Sequence, residues 1–142
     1  MPNACVDTNL WFYALARPAI GEETKHQAAR RLISKLDRPL VTPQILNELT
    51  FNLLRKRAWS EPELRELIID LRLRCRFFVP GADWHEQASL WREKYALSFW
   101  DSLVVASAHA GSCAVLFSED MQHGLRIDTL EIVNPFAVGT VI

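Results

Sequence analysis

Asp7, Glu48, Asp101 and Asp120 are the residues of this chain best suited to chemistry, because each carboxylate stands in an apolar context. Asp7 follows Ala4-Cys5-Val6, and Glu48 lies between Ile45-Leu46 and Leu49. Asp101 opens the run Leu103-Val104-Val105-Ala106, and Asp120 follows Ala114-Val115-Leu116-Phe117. An unpaired charge in apolar surroundings is costly, so carboxylates are seldom buried singly. Several that converge repel one another and require a cation, and hard oxygen donors favour Mg²⁺ or Mn²⁺. The chemistry such a group suits is metal-assisted hydrolysis of a phosphate ester. One or two ions, roughly 3.5–4 Å apart if two, activate water and offset charge on the phosphate oxygens.

Each acid also has a purely structural role open to it. Asp7 fits the N-cap of a helix that includes Leu10. Ser98-Phe99-Trp100-Asp101 has the form of a capping box with Asp in place of Glu. Asp120 fits a cap on the turn at Met121-Gln122-His123, and Glu48 fits a partly exposed place beside an apolar stripe. Four unrelated caps need not share one end of a sheet, and the order of elements puts all four there.

Short apolar runs alternate with helical patterns along the chain. Ala4 to Val6, Pro39 to Thr42, Phe77 to Val79, Cys113 to Phe117 and Glu131 to Val133 read as strands, all short and apolar as in a sheet covered on both faces. Between them, helices start at Asp7-Thr8-Asn9, at Glu22, at Pro43, at Ser60-Glu61-Pro62-Glu63 with its capping-box form, at Asp83 as N-cap and at Ser98. Gly111 ends the last of these, which is apolar nearly all round and therefore central. The pattern predicts an α/β/α sandwich with a mostly parallel five-stranded sheet. Ligand sites in such sheets lie beyond the carboxyl ends of the strands. Asp7 and Asp120 fall just past two strand ends, and Asp101 and Glu48 fall in the early turns of helices.

At 142 residues, with 49% hydrophobic and 23% charged residues, the sequence predicts one globular domain over residues 1–142. The 16 Lys and Arg balance 17 Asp and Glu, so any nucleic-acid affinity must come from a local patch. Cys5, Cys75 and Cys113 are far apart and have no zinc spacing, which fits a reducing cytoplasm. Met1-Pro2-Asn3 leads directly into a strand without the basic and apolar stretches of a signal peptide. No apolar run approaches the ~20 residues of a membrane span. GxGxxG, P-loop, GxSxG and HExxH motifs are absent, which excludes those nucleotide-binding, hydrolase and zinc chemistries.

The motifs Val6-Asp7-Thr8-Asn9, Asn47-Glu48-Leu49, Phe99-Trp100-Asp101-Ser102-Leu103 and Ser118-Glu119-Asp120-Met121, in that order and at this length, resemble the PIN domain family. Within it the chain is most similar to stand-alone VapC-type toxin ribonucleases of bacterial toxin–antitoxin pairs. The resemblance implies a Mg²⁺- or Mn²⁺-dependent endoribonuclease whose acidic pocket is Asp7, Glu48, Asp101 and Asp120. It makes Thr8 and Ser118 supporting polar residues. It also implies a homodimer, silenced by a small antitoxin. Glu119 and Asp120 are adjacent acids; motif position favours Asp120 for the pocket and leaves Glu119 beside it. Two other readings remain open: a PIN-type RNA-processing nuclease with no toxin role, and an inactive PIN module that binds protein or RNA.

Three basic clusters are candidates for RNA contact: Arg55-Lys56-Arg57, Arg72 with Arg74 and Arg76, and Arg30-Arg31. Each fits equally a solvated helix face or terminus. Trp11 and Trp100 adjoin the acidic motifs and either stack on bases or belong to the core, the second being the expected state. His26, His85, His109 and His123 lack ligand spacing and are expected in structural or surface roles.

Overall fold

The computed structural model describes residues 3–137 and 139–140. Met1, Pro2, Val138, Val141 and Ile142 lie outside the described residues, including the start expected to lead into the first strand. The chain runs β1 (Ala4–Val6), α1 (Thr8–Leu15), α2 (Glu23–Lys35), β2 (Leu40–Val41), α3 (Pro43–Arg57), α4 (Glu61–Arg74), β3 (Arg76–Phe77), α5 (Trp84–Lys94), α6 (Phe99–Ala110), β4 (Val115–Phe117), β5 (Arg126–Ile127) and β6 (Leu130–Val133).

The six strands form one sheet in the order β3-β2-β1-β4-β6-β5. All neighbours are parallel except β5 and β6. Ala4, Cys5 and Val6 are all buried, although alternate residues of a strand point to opposite faces, so helices cover both faces of β1. The chain leaves β1 for β2 on one side and later returns to β4 on the other. The carboxyl ends of β1 and β4 therefore flank the point where strand order reverses, the usual crevice of an open α/β sheet.

Helix starts follow the sequence closely. Thr42 caps α3, accepting from the Ile45 amide at 3.3 Å, with Pro43 in the first turn. Ser60 and Glu63 complete a reciprocal capping box on α4. Ser98 caps α6 through the Asp101 amide at 3.1 Å. Asp83, expected as a cap, makes no side-chain bond to the start of α5. Leu103, Val104, Val105, Ala106 and Ala108 are all buried, as expected for a central helix.

Two expectations about strands are corrected. The segment from Phe77 to Val79 is not a buried strand: β3 is the sheet edge, Phe77 is 41% exposed and Val79 is 74% exposed. Beyond an edge strand no neighbour excludes water. The sixth strand, β5, is an antiparallel partner of β6, joined to it by a short turn with Asp128 in the left-handed region at φ 57°.

Gly111 follows α6 with φ −79°, so no left-handed conformation calls for glycine there. A Cβ at Gly111 would come 3.0 Å from Leu40 Cδ2 and 3.2 Å from the Ser107 carbonyl oxygen. Leu40 is fully buried in β2 and has little room to yield. Gly111→Ala is expected to destabilise by about 1–3 kcal/mol through overpacking. Urea unfolding checks this, with a lower midpoint at unchanged slope as the expected result.

Candidate active site

Asp7, Glu48, Asp101 and Asp120 line one cleft of about 400 Å³, together with Thr8, Asn9, Gln44, Asn52, Lys56, Trp100 and Glu119. Asp7 is carried there by β1. Its amide donates to the Phe117 carbonyl at 2.9 Å, which fixes the ends of β1 and β4 side by side. Its carboxylate is 7% exposed and accepts from the Thr8 amide through Oδ1 and from Ser118 Oγ through Oδ2, each at 2.8 Å. The cap and the cleft residue are thus the same side chain.

The other acids are held by uncharged groups as well. Thr8 Oγ1 donates to Glu48 Oε2 at 3.3 Å, and Gln44 Nε2 donates to Glu48 Oε1 at 3.1 Å. Asn9 Nδ2 donates to Asp120 Oδ2 at 3.0 Å, and the Asp120 amide donates to Ser118 Oγ at 3.3 Å. Ser118 is fully buried and so bridges Asp7 to the loop after β4. Asp101 sits in the first turn of α6 with Ser98. Among the described residues none of these four acids is in an ion pair.

Glu119 differs. It is bound by Lys25 Nζ and by Tyr13 OH, the latter at 2.8 Å, while Lys25 also lies over the Tyr13 and Phe136 rings. Its charge is already neutralised, whereas the adjacent Asp120 is exposed and faces Asp101 with its charge.

Crowded carboxylates away from water hold their protons. Burial pushes the Asp7 carboxyl up to about 6, against the bonds from Ser118 and Thr8, and the charges of Asp101 and Glu48 add to the rise. Burial also raises Asp101, helped by the charge of Asp120 and opposed by the bond from Ser98.

The sequence pointed to the acids, Thr8 and Ser118, but not to Gln44, Asn9 or Asn52. On α3, Ile45, Leu49 and Leu53 face the core, while Gln44, Glu48, Asn52 and Lys56 form the next stripe at the same spacing and face the cleft. Lys56 therefore reaches the site from the basic end of the helix. Three other cations of these clusters are engaged away from the cleft. Arg57 donates to the Arg17 carbonyl, Arg74 pairs with Asp70, and Arg76 donates to the Gly111 carbonyl at 2.7 Å. Trp11 is core, at 4% exposure, but Trp100 is 63% exposed on the rim of the cleft, contrary to the core reading. His109 pairs with Asp128, His26 donates to the Tyr13 carbonyl, and His123 accepts from the Asn134 amide. Cys5, Cys75 and Cys113 are free and buried.

A family model described as the PIN domain matches residues 4–124. No curated protein sequence matches significantly. Solved structures share the fold at low identity. A toxin–antitoxin complex from Klebsiella pneumoniae superposes with a TM-score of 0.71 and 14% identity, over 96% of this chain and 100% of that one. VapC20 of Mycobacterium tuberculosis, a Sarcin-Ricin loop cleaving toxin, gives 0.60 and 24% identity over 80% of this chain and 87% of that one. VapBC2 of Rickettsia felis, bound to a DNA fragment from its promoter, gives 0.59 and 15% identity over 91% of this chain and 96% of that one.

The raised Asp7 carboxyl has a measurable consequence for the metal-free protein. The folded state keeps this proton up to about pH 6, while the unfolded chain releases it near 3.8. The folded state thus binds more protons across that window, and its stability falls as pH rises through it. The full loss should be on the order of 3 kcal/mol, of which roughly half falls between pH 5 and 7.5. Asp7→Asn should remove that dependence and melt above wild type at pH 7.5. Melting curves in EDTA at pH 5 and 7.5 check both; wild type and variant running parallel would contradict the assignment.

Proposed function

The chain belongs to the PIN domain family, and we propose from that premise that it is a metal-dependent endoribonuclease, the toxin of a type II toxin–antitoxin pair. One observation carries the catalytic part of this reading. Four carboxylates share a cleft, and every hydrogen-bond partner they have there is uncharged. Their negative charge is left for a cation from solution.

Asp7, Glu48, Asp101 and Asp120 would hold Mg²⁺ or Mn²⁺. Among the described residues no three His, Cys, Asp or Glu side chains close on a single point. Mg²⁺ keeps several waters and usually takes only one or two carboxylates directly, together with substrate phosphates, so the remaining acids would act through its waters. Bound there, the ion would activate water and offset charge on the scissile phosphate. Thr8 and Ser118 fix the orientation of Asp7, and Thr8 and Gln44 together fix that of Glu48. Asn9 holds Asp120. Glu119, neutralised by Lys25, supports the loop rather than the ion.

The substrate in this reading is RNA, as with the Sarcin-Ricin loop cleaving neighbour. A small antitoxin partner is supported by the toxin–antitoxin complex among the neighbours. A homodimer fits the exposed Phe51 and Leu54 on α3, apolar side chains that a second copy would cover. The setting is cytoplasmic, where RNA and antitoxin are both at hand; no helix among the described residues is long and apolar enough to cross a membrane.

Purified protein incubated with a mixed RNA pool should cut it with Mn²⁺ or Mg²⁺ and not in EDTA. Asp101→Asn should lower cutting by more than roughly a hundredfold, beyond what loss of an outer bond to a metal ligand causes. The same variant should stay folded and melt at or above wild type, because a half-buried charge and its repulsion are gone. Cutting by Asp101→Asn at the wild-type rate would remove that residue from the site. No cutting by folded, antitoxin-free protein would favour an inactive binding module.

A further inference from the structure

The acidic cleft has two unlike ends. One wall is α3, where Gln44, Glu48, Asn52 and Lys56 face it in a single stripe. At 1.5 Å per residue this wall is about 18 Å long from Gln44 to Lys56. Trp100 marks one end, since Gln44 Nε2 donates to its carbonyl at 3.3 Å. Lys56 marks the other. The carboxylates lie between.

Trp100 is a large exposed aromatic next to Asp101, and it is braced. Phe99 meets it edge-on, with ring centroids 5.1 Å apart at 85°. The Arg92 guanidinium lies 4.9 Å from the Phe99 centroid and donates to Ser102 Oγ at 2.8 Å. A row from α5 to the start of α6 therefore supports the indole from behind and leaves it 63% exposed. A held ring beside a hydrolytic centre is a platform for an unpaired base, and bases in a duplex cannot reach such a platform.

Lys56 is the one Lys or Arg lining the cleft among the described residues. Its Nζ lies 5.7 Å from the Phe12 centroid and pairs with no carboxylate. Lys25, by contrast, is committed to Glu119. A cation left unpaired beside four acids is placed for a phosphate that arrives with the substrate.

We propose that a single RNA strand lies along the α3 wall, with one base stacked on Trp100, the scissile phosphate over the carboxylates and a flanking phosphate on Lys56. Trp100 then requires an unpaired nucleotide beside the cut and biases its identity modestly through stacking strength, and Lys56 provides grip without sequence preference. This rests on the ribonuclease reading and adds the substrate's path to it.

The test uses Trp100→Ala, Trp100→Phe and Lys56→Gln in the full chain. Cleavage positions are mapped on a single-stranded RNA, kcat and KM are separated, and binding to Asp101→Asn protein is followed by anisotropy across a salt series. Trp100→Ala should raise KM roughly ten- to a hundredfold, with a smaller change in kcat and a flattened base preference at the cut. Trp100→Phe should restore most of both, which a merely structural role for the indole would not predict. Lys56→Gln should weaken all RNAs alike and make the slope of log affinity against log salt shallower by about 0.7. Melting temperatures near wild type confirm that the variants are folded. If the protein cuts RNA but these variants keep wild-type KM, site preference and salt slope, the path is wrong while the nuclease stands. If wild type neither cuts nor binds RNA, both fall.

Discussion

Burial of the Asp7 carboxylate between the ends of β1 and β4 is the constraint around which the molecule is arranged. A charge there would be prohibitive without bonds, and the chain supplies them from its own local geometry: the first amide of α1 and the hydroxyl of a fully buried serine. Both donors are neutral. They make the carboxylate tolerable without cancelling it. The same economy of charge runs through Thr8, Gln44 and Asn9, so a cluster that could have become a set of internal salt bridges stays a net negative pocket. Where the chain does use a cation, on Glu119, it does so one residue away from Asp120 and thereby separates a structural acid from an open one.

The fold divides its labour between two kinds of helix. α6 is buried for most of its length, and its N-terminal part, with Trp100, Asp101 and Val104, reaches the cleft. α3 puts one stripe in the core and the neighbouring stripe on the wall of the site. The first arrangement places a carboxylate with little freedom. The second offers an extended row of polar side chains, which suits a long ligand better than a small one.

Much of this was legible in the sequence. The apolar triplet before Asp7 marked β1, the apolar run before Ser118-Glu119-Asp120 marked β4, Pro43 marked the start of α3, and serine caps marked α4 and α6. Parallel strands buried on both faces leave strong patterns. The misreadings fall where burial is one-sided or local signals are weak. Phe77 and Val79 look like core, but an edge position is decided by what lies beyond the strand, which local sequence does not encode. The β5–β6 turn uses Asp128-Thr129, without the glycine that marks most tight hairpins. Trp100 reads as apolar, yet the helix carries it past the edge of the core. Gln44, Asn52 and Lys56 were visible at helical spacing, but a polar stripe looks the same whether it faces solvent or a cleft.

The hydrogen bond from Ser118 to Asp7 joins residues separated by 111 positions. β1 likewise pairs with β4, Val6 standing opposite Phe117. Contacts so distant along the chain form late, because the intervening loop must close before they bring any gain. During synthesis the first strand emerges long before its central partner exists. A nascent or truncated chain that ends after Asp101 but before β4 therefore has Asp7, Glu48 and Asp101 but lacks the strand that gathers them. The pocket comes into being only once β4 and the residues just past it have been made, so a shorter product carries the acids without the site.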